Sequence, residues 1–372
     1  MQKGFSLLAL FLVSLGVLLG LCLPASAQTY TYSTLYNFKS DSNSSAPSAP
    51  SALIVDTAGN LYGTTAFGGK EGAGTVYELS AGGVFTVLHV FNGTDGYYPH
   101  SLTRDRQGNL YGTTWQVGYP GTVFKMVKGS GGHYAFTSLY SAAFAEPGGV
   151  AVDASGNLYG TDPGNRGCLC VFEVPAGGQW QDIYDTGGQP TYPVGNVLIG
   201  QSGGAYASID YEGIAASGSV VEVQGGDGFF NLPNTVSGSG YLAQDAAGNI
   251  YALAWGENPY GLFVKMDVST GTVSTLYNFT GGTGGDAPFA PFAVDATGNI
   301  YGVAQGGMVG KGFVFKITPQ GKQRVLYVFP KDNNTNGASS GISMDGTGNL
   351  YGYTTLGGTY NGGTIYKLTL AK

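Results

Sequence analysis

Charged side chains are what this sequence most conspicuously goes without: Asp, Glu, Lys and Arg make up 10% of it, against roughly a quarter in an ordinary globular domain. The charge that remains leans acidic, 16 Lys and Arg against 23 Asp and Glu. That excludes phosphate-backbone binding as the main activity, because such binding needs clustered cations. Cysteine is nearly absent, 3 in 372 residues, so the fold is not a disulfide scaffold. Only 3 His are present, at His89, His100 and His133 in three different local contexts, which leaves no ready ligand set for zinc. Strong helix formers are thinly spread, and after residue 27 no apolar run reaches the length of a membrane span. What is abundant is Gly (65), Tyr (26) and Phe (19), a composition of short aromatic strands joined by tight turns.

The one long apolar stretch lies at the start. Lys3 supplies a positive flank, Leu7 to Leu23 an apolar core, and Ala25-Ser26-Ala27 a small-residue cleavage site before Gln28, together the pattern of a secretory signal over residues 1–27. Cys22 is not read as a lipid attachment point, since Leu21 precedes it where a small residue is needed. The expected mature chain is a single domain of residues 28–372 with 15 basic and 23 acidic side chains, a net charge of −8. It is expected to be secreted or periplasmic and monomeric, and to end on the strand-like Tyr366-Lys367-Leu368-Thr369-Leu370 with no C-terminal anchor.

One phrase recurs along this domain. It begins Gly59-Asn60-Leu61-Tyr62 and returns at Gly108, Gly156, Gly248, Gly298 and Gly348, with an eroded copy at Gly203-Gly204-Ala205-Tyr206. Steps between the Asn positions are 49, 48, 47, 45, 50 and 50 residues, which marks repeated supersecondary units. Each unit resolves into four short strands: a run such as Val150-Ala151-Val152, the Leu-Tyr-Gly-Thr-Thr segment, a third such as Gly121-Thr122-Val123-Phe124-Lys125-Met126, and a fourth such as Val325-Leu326-Tyr327-Val328-Phe329. The expected fold is therefore all-β, a seven-bladed β-propeller of four-stranded antiparallel blades. The seventh copy stops after its third strand, yet Ser33-Thr34-Leu35-Tyr36-Asn37-Phe38 nearly repeats Ser274-Thr275-Leu276-Tyr277-Asn278-Phe279, a fourth strand elsewhere. The N-terminal strand is thus expected to close the last blade and abolish an open sheet edge.

Asp56, Asp105, Asp153, Asp245, Asp295 and Asp345 stand four residues before the Asn position. They read as turn chemistry, the carboxylate accepting amides just ahead, because the fourth unit replaces the pair with Gly200 and Gly204 and keeps its spacing. No calcium-loop spacing with a closing Glu exists. The recurrent Tyr62, Tyr111, Tyr159, Tyr206, Tyr251, Tyr301 and Tyr351 are expected to pack between blades and bond adjacent backbone. Glu78, Lys125, Glu173, Glu222, Lys265, Lys316 and Lys367 share one third-strand position and read as solvated or paired blade-flank charges, each worth little. Cys168 and Cys170, two residues apart, suit a small disulfide or free thiols in an exported protein.

The string Gly-Asn-Leu-Tyr-Gly-Thr-Thr, followed by Gly-Gly and then Gly-Thr-Val-Tyr or Gly-Thr-Val-Phe, resembles the GloVer tandem repeat of exported bacterial proteins, most clearly at 59–79 and 108–126. Units four and five depart from it at Gly204 and at Ala252-Leu253-Ala254. The resemblance implies a propeller similar to NHL-type and gluconolactonase-like ones and carries no settled activity.

Function must then rest on what breaks the repeat. Irregular residues in the loops between second and third strands, and in those leading into each first strand, are His100, Trp115, Tyr119, Asp162, Arg166, Tyr211, Glu212, Trp255, Glu257 and Tyr260, all expected on one face. The first expectation is a non-catalytic binding or scaffold module that presents this aromatic and acidic face to a glycan, a peptide or a cell-envelope protein, with no cofactor. The alternative is a metal-dependent hydrolase resembling gluconolactonase-like propellers, with a divalent cation such as calcium at the axis. It requires that at least three of Glu146, Asp162, Glu212 and Glu257 converge there, whereas the openings of the first strands, Ser51, Gly148 and Val194, are small or apolar, with His100 the exception.

Overall fold

The computed structural model describes residues 30–39, 46–115, 121–142, 147–162, 170–185, 191–211, 218–223, 229–231, 236–237, 240–256, 258–286, 291–304, 312–330 and 341–371. The expected signal segment and its cleavage site lie outside them. Seven antiparallel sheets follow one another, over 48–90, 99–142, 150–185, 191–231, 236–278, 293–328 and 343–370, and the last takes Tyr30–Lys39 as its fourth strand. The seven-bladed propeller is therefore confirmed, with the first strand of each blade innermost. In blade five that strand is split into Val236–Ser237 and Leu242–Gln244, both pairing with Ile250–Gly256.

Closure is a ladder: Tyr30 pairs with Leu370 and Lys39 with Asn361, so both chain ends share one sheet. Packing reinforces it. Phe38 is fully buried and meets Tyr77 of blade one at 5.4 Å and 64°. Phenylalanines just past the ends of three other fourth strands repeat this geometry against the following blade, Phe91 on Phe124 at 5.4 Å and 64°, Phe279 on Phe315 at 5.6 Å and 69°, Phe329 on Tyr366 at 5.4 Å and 70°. The noncovalent junction between blades seven and one is thus built like the covalently continuous ones. Each such ring contributes about 2 kcal/mol from burial alone, with edge-to-face contact adding about 1 kcal/mol.

Blade thickness is set by a size exchange between the second and third strands. Gly63, Gly112, Gly160, Gly302 and Gly352 lie opposite Tyr77, Phe124, Phe172, Phe315 and Tyr366, whereas Ala207 and Ala252 lie opposite Val221 and Val264. A Cβ at any of the five glycines would enter the opposed ring. The departure of units four and five from the repeated phrase is thus compensated across the ladder, the added methyl being offset by a smaller partner.

Candidate functional site

The two threonines of the recurring phrase divide the labour of assembly. The second bonds within its blade: Thr65 with Thr75 at 2.7 Å, Thr114 with Thr122 at 2.7 Å, Thr354 with Thr364 at 2.9 Å. The first works at the axis. Thr113 donates to the Gly148 carbonyl of blade three at 2.8 Å and Thr161 to the Gly195 carbonyl of blade four at 3.0 Å. In blade seven Tyr353 takes this position and its hydroxyl reaches the Ser51 carbonyl of blade one at 2.6 Å. Where Leu253 and Val303 replace the hydroxyl, apolar clusters around Phe263, Phe292 and Phe315, and around Phe329 and Ile342, join the blades instead.

These clasps hold the seven innermost strands around a central cavity of about 670 Å³. Among the described residues its polar wall is uncharged at neutral pH: Ser51, Ser101, Thr103, Asn196, Ser343, Tyr241 and Tyr353 with their backbone, and the imidazole of His100. Among the described residues no carboxylate lines it. Asn196 is fully engaged, accepting from Leu242 N at 2.8 Å and donating to Leu242 O at 3.2 Å. The His100 ring opens on the channel but is walled by protein, and this enclosure lowers its pKa, against hydrogen bonds to the Tyr98 and Pro147 backbone that raise it. It is therefore neutral at pH 7. Strand register places His100 at the end where second strands finish and first strands begin. There the rim is aromatic: Phe67, 43% exposed, meets Tyr98 edge-on at 4.7 Å, and Trp115, 37% exposed, donates its backbone N–H to the Tyr98 carbonyl at 3.3 Å. Tyr98 carries a φ of 53°, as does Ala49 at the same place in blade one with 52°. The left-handed backbone before a proline is thus shared by blades one and two, and the bulky ring in it belongs to blade two.

The opposite end of the ring holds a network repeated from blade to blade. Asp345 Oδ1 accepts from Thr347 N and Asn349 N at 2.9 and 3.0 Å, and Oδ2 from Asn349 Nδ2 at 2.8 Å and from the Tyr351 hydroxyl at 3.0 Å. Tyr111, Tyr251 and Tyr301 donate likewise to Asp105, Asp245 and Asp295. Burial pushes the Asp345 carboxyl up, but these hydrogen bonds outweigh it and hold the pKa down to about 2. The Tyr251 and Tyr301 hydroxyls are pushed up by burial and by the adjoining carboxylate. The third-strand charges complete the set. Lys125, Lys265, Lys316 and Lys367 lie over the rings of Tyr111, Tyr251, Tyr301 and Tyr351 at 5.2 to 6.0 Å. Glu78 and Glu173 instead accept from the Tyr62 and Tyr159 hydroxyls at 3.3 and 3.0 Å. One expectation is corrected here: the tyrosine hydroxyls bond carboxylates rather than backbone. The third-strand charges are paired with these tyrosines, because the antiparallel register sets the two directly opposite. The reading of the Asp positions as turn chemistry holds.

The sequence matches the Gloeobacter/Verrucomicrobia repeat over residues 20–221 and 221–372. The chain belongs to this family. No protein of curated function matches it in sequence. In structure it is similar to the extracellular domain of a candidate hybrid two-component system from B. thetaiotaomicron, at 11% identity and a TM-score of 0.60, covering 91% of this chain and 40% of that one. It therefore spans less than half the length of that relative. It is also similar to an oligogalacturonate lyase in complex with manganese (13%, TM-score 0.59, 93% and 98% covered) and to a candidate 6-phosphogluconolactonase from Bacteroides uniformis (13%, 0.53, 79% and 88%). At these identities the likeness is one of fold.

Among the described irregular residues of this member of the repeat family, His100 is the one that lines the channel. Trp115 and Tyr260 are exposed, and Trp255 is half-buried near the end of its strand, opposite Ser237. Asp162, expected on the face, is fully buried, because it occupies the second-threonine position of blade three and pairs with Cys170. Tyr211 ends a second strand opposite Thr191. Tyr119, Arg166, Glu212 and Glu257 lie outside the described residues, as do Glu146 and Cys168. Cys170 is disulfide-bonded. Among the described residues no three His, Cys, Asp or Glu side chains group as metal ligands. In blade four the opening position of the first strand is Gly195 rather than Val194, since the Gly195 carbonyl accepts the Thr161 hydroxyl. Sequence reasoning missed Ser101, Asn196, Tyr241, Ser343 and Tyr353. Tyr353 left a signal, a tyrosine in place of the first threonine of the phrase; the others sit in or just before first strands, whose sequences vary from unit to unit.

Proposed function

We propose that the chain is an exported, non-catalytic binding propeller whose channel mouth at blades one and two takes a neutral glycan. The observation that carries this reading is the pairing of an axial opening, whose described polar groups are uncharged and mostly hydroxyls, with aromatic rings at the same end, Phe67 and Trp115 exposed and Tyr98 half-buried between them. Flat apolar rings beside hydroxyl and imidazole groups suit a sugar, which offers C–H faces to the rings and hydroxyls to the wall. The expected signal segment supports a partner outside the cytoplasm. The test is a glycan array probed with the purified chain and with Trp115→Ala. Capture by the parent that drops at least tenfold in the variant supports the reading. Turnover of a lactone or ester that needs an added divalent cation overturns it in favour of the hydrolase.

A further inference from the structure

A second cavity, of about 420 Å³, lies at the other end of the ring, between blades seven and one, lined among others by Gly59, Ala81, Gly83, Asp345, Tyr351 and Lys367. Its meaning comes from the equivalent places at two other junctions. Between blades six and seven, Tyr30 donates its hydroxyl to the Gly348 carbonyl at 3.4 Å and also bonds the Tyr301 hydroxyl. Between blades one and two, Tyr134 donates to the Gly108 carbonyl at 3.2 Å and bonds Tyr62. In both cases a phenol from the following blade's fourth strand lies between that blade's turn glycine and the preceding blade's recurrent tyrosine. The corresponding pair between blades seven and one is Gly59 and Tyr351. Among the described residues no phenol covers it, because the third-to-fourth hairpin of blade one turns at Leu79 and Phe85, two rungs before the Lys128–Tyr134 rung that carries the phenol in blade two.

A short hairpin does not by itself leave a gap. Blade six also has one, yet there Gly321 abuts the Leu276 carbonyl and a Cβ on Gly298 would stand 2.5 Å from the Tyr251 hydroxyl, so the blades have closed together. At the junction of blades seven and one, a Cβ on Gly83 would meet nothing within 4 Å, and one on Gly59 only Ala81 at 3.6 Å.

We infer that this socket binds a phenol ring, either that of a small phenolic molecule or that of a tyrosine presented by a partner polypeptide. The bound hydroxyl donates to the Gly59 carbonyl and meets the Tyr351 hydroxyl, as Tyr30 and Tyr134 do at their own junctions. Leu35, Leu61 and Leu79 supply apolar wall. The reading is independent of the glycan face, which lies at the opposite end of the ring.

The test uses the purified full chain with p-cresol and with the peptide Gly-Tyr-Gly, followed by amide NMR and by the shift in melting temperature. For a ligand of this size, Kd on the order of 1 mM is expected, with perturbations centred on Gly59, Gly83 and Tyr351, and benzene-ring analogues without the hydroxyl at least fivefold weaker. Ala81→Trp fills the socket from an exposed turn and is expected to weaken both ligands at least tenfold. Replacing residues 80–84 with the longer 127–135 segment, which brings Tyr134, is expected to abolish binding and raise the melting temperature. Tighter binding of the peptide assigns the socket to a polypeptide partner, and equal or tighter binding of p-cresol to free phenolics. Absence of perturbation by both ligands, or binding unchanged in Ala81→Trp with its fold intact, overturns the inference.

Discussion

Gly302 and Phe315 offer the sharpest check on how the blades are packed. A Cβ added at Gly302 would stand 2.6 Å from Phe315 Cζ, with the next two nearest atoms in the same ring and no backbone among the three. Ordinary contact needs about 3.5 Å, so the ring must give by nearly 1 Å in a fully buried site. Gly302→Ala should on backbone entropy alone stabilise a strand by about 0.5–1 kcal/mol. Overpacking at about 1–3 kcal/mol opposes that gain, so a net loss is expected. Phe315→Val leaves a cavity and costs about 2–4 kcal/mol. The double variant recreates the Ala252–Val264 rung that blade five uses, so the added methyl sits in vacated space. The expected outcome is a favourable coupling of about 1–2 kcal/mol, read as a double-mutant cycle from urea denaturation. Contacts that Phe315 loses with Phe279 and Phe263 appear in both arms of the cycle and cancel. Additivity within about 0.5 kcal/mol would refute the size exchange as the device that sets blade thickness.

Phe38→Ala should cost about 3–5 kcal/mol, close to Phe279→Ala, because the two rings make the same edge-to-face contact; a near-silent Phe38→Ala in thermal unfolding would mean that the terminal strand does not close the ring. Thr113→Val removes the donor to the Gly148 carbonyl at 2.8 Å and should cost about 1–2 kcal/mol, measured against Thr103→Val, whose residue lies outside this clasp. The Asp345 carboxyl, held down to about 2 from an ordinary value near 3.9, contributes stability that is present above pH 4 and lost as pH falls through 2. The shift corresponds to about 2.6 kcal/mol, reduced to about 1 kcal/mol for its solvent contact. Melting temperature followed from pH 5 to 1.5 should fall less steeply in Asp345→Asn, and parallel curves would contradict the assignment.

Much of the architecture was legible because its causes are local. The near-fifty-residue step, the Asp-x-x-Gly-Asn turn and the short aromatic strands each follow from backbone preferences within a few residues, and the likeness of 33–38 to 274–279 announced the closure. The Asp positions were correctly read as turn chemistry, since the fourth unit lacks them and keeps its pitch. The candidate site was less legible. His100 was found because it breaks a run of small residues, but Asp162 was misplaced: loop irregularity and strand-end burial look alike until the ladder with Cys170 is seen.

The sequence by itself determined the number of blades, the strand order within each and the strand that shuts the ring, because these depend on spacing and on period-two alternation. Only the tertiary structure decided which groups meet across the junctions: that one threonine of a pair serves its own blade and the other the next, that the recurrent tyrosines bond carboxylates, that one junction of short hairpins closes while another leaves a socket. Those contacts join residues tens to hundreds of positions apart, and the twist and spacing of packed sheets, which no local pattern encodes, bring them within hydrogen-bonding reach.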